Sequence, residues 1–229
     1  MDSLLQLLFP TSCLICERSG QNLCQGCDLK IIRNSLSFMV ESTKVHSAAF
    51  YGDELARVIL LAKEKNNLAA RNFLAELVVH SFMQATREKE GSLTILLIPI
   101  PSRSVANRKR GFRHSHLLAK TVASQIERHS SHQVTVRELL KVNRRTADQS
   151  GLNRAQRDEN LSGAYSIQGS FQSNGALKAV EKVFLIDDLV TSGISIREGL
   201  RALKEAGIAP FGALTAGISP RVFPNTIGD

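Results

Sequence analysis

Tryptophan is absent from this chain, and Phe and Tyr bring the aromatic share to only 5%. Any core must therefore be built from aliphatic side chains. Long apolar runs are missing too. The clearest ones, Ile95 to Ile98 and Val183 to Ile186, fall far short of the roughly 20 residues that cross a bilayer. The apolar N-terminal stretch MDSLLQLLFP has no basic leader and carries Asp2, so it fits a short helix docked on the body better than a secretion signal. With nothing arguing for export, the expected location is the cytoplasm. Cysteine is absent outside residues 13–27. Neither a G-x-x-x-x-G-K-[ST] phosphate loop nor a G-x-G-x-x-G dinucleotide fingerprint occurs.

What is present is a 229-residue chain with 43% hydrophobic residues, enough for one generous domain with an appendage. It carries a net charge of +8. That balance favours polyanionic partners, either nucleic acid or phosphorylated small molecules, and does not choose between them. A merely solvated basic surface gives the same total.

All four cysteines lie in CLICERSGQNLCQGC, as two C-x2-C knuckles: Cys13 and Cys16, then Cys24 and Cys27. Four thiolates from two knuckles meet the tetrahedral demand of Zn²⁺ and leave no open position for a substrate. The expected role is a structural staple for a module too small to build its own core. A redox C-x-x-C pair and unliganded buried thiols are the alternatives, and the first does not explain why two pairs occur.

The remaining pattern alternates. Strands are expected near 45–51, 93–98, 134–140, 182–186 and 211–218. A short helix is read over 28–42 from Leu29, Ile32 and Leu36, followed by a connector. Further helices are read after Gly52-Asp53, from Asn67 to about Arg87, from His114 to Glu127, and after Ser195. Lys63 and Lys65 read as a solvated turn between two of these helices. Alternating strands and helices imply an α/β fold with an open, mostly parallel sheet.

One stretch carries the most chemistry: VFLIDDLVTSGISI, Val183 to Ile196. Four apolar residues form a buried strand, and Asp187 and Asp188 sit where it should end. A loop of Thr191, Ser192, Gly193, Ile194 and Ser195 then leads into a helix. Backbone N–H groups at such a helix start attract a phosphate dianion, and the hydroxyls add donors. The paired carboxylates can accept hydrogen bonds from vicinal sugar hydroxyls. Across the sheet edge, Pro99-Ile100-Pro101 ends a second strand. The loop beyond it carries Arg103, Arg108, Lys109, Arg110 and Arg113 with no acidic residue. Ligands of open α/β sheets bind at the carboxyl edge of the strands, so an acidic, hydroxyl-rich loop and a basic loop should face each other there. A third polar segment, Arg144 to Tyr165, has the composition of a loop that closes over a bound polyanion.

Val183 to Ile196 resembles the 5-phosphoribosyl-1-pyrophosphate (PRPP) motif of the type I phosphoribosyltransferases. Three further features narrow the resemblance to the ComF/GntX branch of that family. They are the Pro-x-Pro, basic stretch and Arg-Gly-Phe of Ile98 to Ala119, the Arg-x-Thr to Gly-Ala-Tyr segment, and the four-cysteine N-terminus. At one position the chain departs from the branch, with Arg113-His114 in place of Asn-Gln after Arg-Gly-Phe. The resemblance implies a type I phosphoribosyltransferase-like sheet over residues 43–229, preceded by an N-terminal helix and zinc module over 1–42. It implies that Thr191 to Ser195 hold the 5′-phosphate, that Asp187 and Asp188 hold the ribose hydroxyls and orient Mg²⁺, and that Ser102 and Arg103 contact the pyrophosphate. Arg144 and Arg145 would close over it. Displacement at C1 of ribose would then rest on positioning, with Asp187, Asp188 and Arg103 as the catalytic set. Whether transfer to an acceptor occurs at all is left open by these residues. The same resemblance implies an alternative, a non-catalytic competence factor that handles single-stranded DNA with DNA-processing proteins, for which Arg108, Lys109, Arg110 and Arg113 are the candidate contacts. Sparse aromatics fit that alternative less well.

Overall fold

The computed structural model describes residues 11–87, 91–102, 107–108, 110–143, 163–168 and 180–220. Its main sheet has six strands: β1 (Arg33–Val40), β2 (Thr43–Phe50), β3 (Thr94–Pro99), β4 (Gln133–Val136), β7 (Lys182–Val190) and β8 (Gly212–Ile218). They lie in the order β1-β2-β8-β7-β3-β4, and every neighbouring pair is parallel except β1 with β2. β5 (Leu140–Val142) and β6 (Tyr165–Ile167) form a separate antiparallel pair. The α/β class and the mostly parallel open sheet follow the sequence reading.

The central strands read as unbroken apolar runs because both faces are covered. On one face pack α2 (Asp53–Lys65), α3 (Leu68–Ala85) and α4 (His114–His129), bringing Leu74, Phe82, Leu118 and Val122 against Ile95, Leu97, Phe184 and Ile186. The rings of Phe82 and Phe184 meet edge to face at 5.8 Å. On the other face α5 (Ile194–Glu205) and the β5–β6 pair bring Leu140, Tyr165, Ile196, Leu200 and Leu203 against Leu96, Ile98, Leu185 and Ala213. α3 starts where the sequence indicates, with the Asn67 side chain accepting from the N–H of Ala70 at 2.9 Å.

Three element readings are corrected. Residues 33–40 are a strand rather than the end of a short helix. α1 (Gln25–Asp28) is a single turn, after which Leu36 and Val40 turn inward at an interval of four while the residues between them stay at least partly exposed. A spacing of four serves a helix and a strand alike, and pairing with β2 decides for the strand. The expected strand over 134–140 divides, because the chain leaves β3 after Val136 and restarts at Leu140 in the smaller sheet. Finally, β7 does not end at the aspartates. It continues to Val190, held by β8 at Leu189↔Gly217 and Val190↔Ile218.

Candidate functional site

β7, β3 and the start of α5 converge at the carboxyl edge of the sheet. Beyond Val190 the chain turns through Thr191 and Ser192, both exposed, to Gly193, the N-cap of α5. Gly193 has φ 75°, and a Cβ there would stand 3.2 Å from Val40 Cγ2, so glycine is required twice over. No side chain caps the helix and its first turn holds no acidic residue. The N–H groups of that turn, which no intrahelical carbonyl can satisfy, are therefore offered outward, with the half-buried Ser195 beside them. This is the loop and helix start that the sequence reading singles out for a phosphate.

The two aspartates occupy different surroundings. Asp188 is 4% exposed, and its Oδ2 accepts from Lys63 Nζ at 3.1 Å. The Nε2 of His114, itself 1% exposed, lies 3.1 Å from the same oxygen. Burial alone pushes the Asp188 carboxyl up. The contact with His114 and the Lys63 charge outweigh that push and hold it well below the usual carboxylate range. The half-buried Asp187 keeps its carboxylate at its own strand, where Oδ1 accepts from the N–H of Asp188 at 2.9 Å. Burial first, then the adjacent Asp188 charge, drive its pKa well above the usual range. For Lys63, burial pulls the pKa down, but Asp188 and then Asp187 raise it above 10.5.

Lys63 is in position because α2 passes over the carboxyl edge. Near its start Leu55 fills the space above Gly217 of β8, where a Cβ would come within 2.7 Å of Leu55 Cδ2, and near its end Lys63 reaches β7. The neighbouring Glu64 pairs with Arg110 at 2.8 Å. Sequence reading took Lys63 for part of a solvated turn. It lies in the last turn of a helix and is bound to the acidic motif, a correction that only the path of α2 reveals. His114 was marked in the sequence solely as a departure from a pattern.

On the β3 side, the N–H of Ile100 donates to Ile186 O at 2.9 Å, which sets the Pro-Ile-Pro loop beside the aspartates. Ser102 Oγ lies 3.4 Å from Ser115 Oγ. Ser102 and Ser115 line a cavity of about 140 Å³ with Arg113, His116 and Glu138. Arg113 is held there by Glu138 at 2.7 Å. Of the basic loop, Arg108 is exposed, whereas Arg110 and Arg113 are in ion pairs. Arg103, Lys109, Arg144 and Arg145 lie outside the described residues. Glu198 and Arg201 of α5 carried no signal in the sequence beyond helical spacing. Buried Glu198 accepts from the N–H of Tyr165 at 3.1 Å, and Arg201 donates to Glu198 and to Tyr165 O at 2.7 Å, fastening β6 to α5. Asn143 and Gly163, at the two ends of residues 144–162, are tied by a 2.6 Å hydrogen bond.

In the N-terminal segment the four cysteine sulfurs lie within 4.8 Å of one another, and Cys16 and Cys24 are 3.6 Å apart. The edge of a tetrahedron with metal–sulfur bonds of 2.3 Å is about 3.8 Å, so the cluster fits a zinc ion. A disulfide pair would be closer, and all four cysteines are free thiols. Burial pushes the Cys13 thiol up, but backbone N–H groups, that of Cys24 first, bring it down to about 6. The cluster could bind zinc, as the spacing of the knuckles suggests.

Residues 113–216 match the phosphoribosyl transferase domain. Their span runs from the start of α4 through Asp187, Asp188 and the 191–195 loop into β8. This region is similar to a phosphoribosyl transferase domain, and the match covers just under half of the chain. The chain is 24% identical over 158 residues to a relative called Competence protein F from Haemophilus influenzae, an alignment that takes in 69% of this chain. The alignment takes in only 65% of the length of that relative. Among the described residues no helix is long and apolar enough to cross a membrane.

Proposed function

We propose that this ComF-like protein binds PRPP or a closely related ribose phosphate at the carboxyl edge of its sheet. The observation that carries the reading is the uncapped start of α5 directly beyond the Asp187-Asp188 pair. A dianion bound at the 191–195 loop would place its ribose over Asp187, the less enclosed of the two carboxylates. Asp187 would then accept hydrogen bonds from the vicinal hydroxyls, while Ser102 would face the pyrophosphate. The residues fit Mg²⁺, because adjacent carboxylates are hard oxygen donors of the kind it takes. When bound, Mg²⁺ would neutralise charge on the pyrophosphate. Arg103, Arg144 and Arg145 are proposed as the cations on the pyrophosphate. Transfer to an acceptor is the reaction the domain suggests, and it would rest on positioning and on stabilising the departing pyrophosphate.

The relative's name, Competence protein F, keeps single-stranded DNA handling as a second reading. Against it, Arg110 and Arg113 are paired with Glu64 and Glu138, which leaves Arg108 as the one exposed cation of that loop outside an ion pair among the described residues. A thermal-shift titration with PRPP and Mg²⁺ tests the first reading. A rise in melting temperature that is lost in Asp187→Asn supports it, and no rise in the wild-type protein overturns it.

A further inference from the structure

The Asp188 carboxylate is already met by a cation from within the chain. Lys63 Nζ is 3.1 Å from Oδ2 of a carboxylate that is 4% exposed. On the same side stands His114, whose ring nitrogens are both buried and make no aligned hydrogen bond, although Nε2 faces Asp188 at 3.1 Å. The Lys63 side chain is itself 34% exposed, so it enters from the solvent side of the carboxyl edge, the direction from which a soluble cation would arrive. Arg110, the next cation along, is held off by Glu64. Among the described residues Lys63 is therefore the one lysine or arginine paired with the Asp187-Asp188 pair, and it stands on the solvent side of it.

We propose that Lys63 is a positioning residue that acts as a resident counter-ion to the Asp187-Asp188 pair, filling the place of a free divalent cation so that metal enters this site only in company with the phosphates of a ligand. The proposal rests on reading residues 187–195 as the ligand site, and it adds how that site discriminates between bare and ligand-borne metal. The physical basis is charge balance. Two adjacent, largely enclosed carboxylates without a partner attract a divalent ion strongly, whereas the same pair with an ammonium at hydrogen-bonding distance has lost about half of that charge and the space beside Oδ2. A metal already chelated by pyrophosphate needs fewer protein ligands and can dock against Asp187 without displacing Lys63.

Manganese chloride, with no sugar phosphate present, is titrated into the full chain while free Mn²⁺ is followed by electron paramagnetic resonance and the melting temperature is recorded. Wild-type protein is expected to show no saturable site at the acidic pair. Lys63→Met should melt lower, gain a Mn²⁺ site about tenfold or more tighter than any the wild type shows, and recover its melting temperature as that site fills. Lys63→Arg should behave as wild type, and Lys63→Met/Asp188→Asn should gain nothing. Wild type and Lys63→Met binding Mn²⁺ equally well overturns the proposal, as does a gain that survives in the double variant. If Lys63→Met does not fold, Lys63→Gln, which keeps length and polarity, is read in the same way. Because PRPP is absent throughout, a failure here is distinct from a failure of the sugar-phosphate reading, which the PRPP titration reports alone.

Discussion

Asp187 and Asp188 share a peptide bond and burial pushes both carboxyls up, yet the Asp188 charge adds to that push at Asp187 while His114 and Lys63 overcome it at Asp188, so the two are driven in opposite directions. The sequence motif announces two acids; the packing of two helices makes them unequal. A similar separation of pattern from environment appears at His46. It is 7% exposed in β2, and burial, helped by the nearby Lys44 charge, lowers its pKa from 6.5 to about 4. Since the folded form holds this imidazole neutral, the unfolded chain binds more protons between those two values. The His46 contribution is complete above pH 6.5 and is lost as pH falls toward 4. After allowing for partial solvent screening, the loss is about 1–2 kcal/mol. Urea melts at pH 7 and pH 4.5 should show His46→Gln losing that much less stability across the interval than wild type.

At the scale of elements, the site depends on how α5 is held. Glu198 and Arg201 bind each other and both backbone groups of Tyr165, so β6 has its anchor on the helix whose first turn is the proposed phosphate site. Removing Arg201 leaves a buried carboxylate with one N–H for company. Arg201→Ala is expected to cost about 2–3 kcal/mol and to speed amide exchange at residues 164–167 more than in α3. Hydrogen-exchange mass spectrometry distinguishes this from general loosening, which would raise exchange in both places. The strands β3, β7 and β8 were legible from composition because burial on both faces leaves mostly apolar residues. β1 was not, since Leu36 and Val40 recur at an interval that suits either periodicity. The split at residues 137–139 was also hidden, because local sequence does not register that a chain has left one sheet for another. Within the site, Gly193 and the hydroxyl loop were legible because a motif keeps them contiguous. Lys63 was not, for its partner lies 125 residues away.

On the scale of the whole molecule, the cysteine cluster and the ligand edge are joined through packing. Leu14 and Ile31 belong to the same core as α2 and α3, and Arg57 of α2 donates to Leu14 O at 3.2 Å. We propose the division into a zinc module over 1–42 and a ligand-binding unit over 43–229 as one of role; β1, from the first, is hydrogen-bonded into the sheet of the second. Metal analysis is expected to return one zinc per chain. Cys24→Ser, or a strong chelator, should lower the melting temperature through loss of the α1 turn and of packing above α2. A chain without zinc that melts at the same temperature would remove the metal from the structural account.

The order of the strands has a consequence for how the molecule comes into being. β1 and β2 are made early, yet β2 finds its parallel partner only in β8, and β7 links that pair to β3 and β4. Two half-sheets must therefore wait with bare hydrogen-bonding edges through most of synthesis, until the last two strands emerge and close the gap between them. A ribosome that stalls before residue 212 would release a sticky intermediate rather than a smaller working protein, so the fold is kinetically all or nothing even though its parts are chemically distinct.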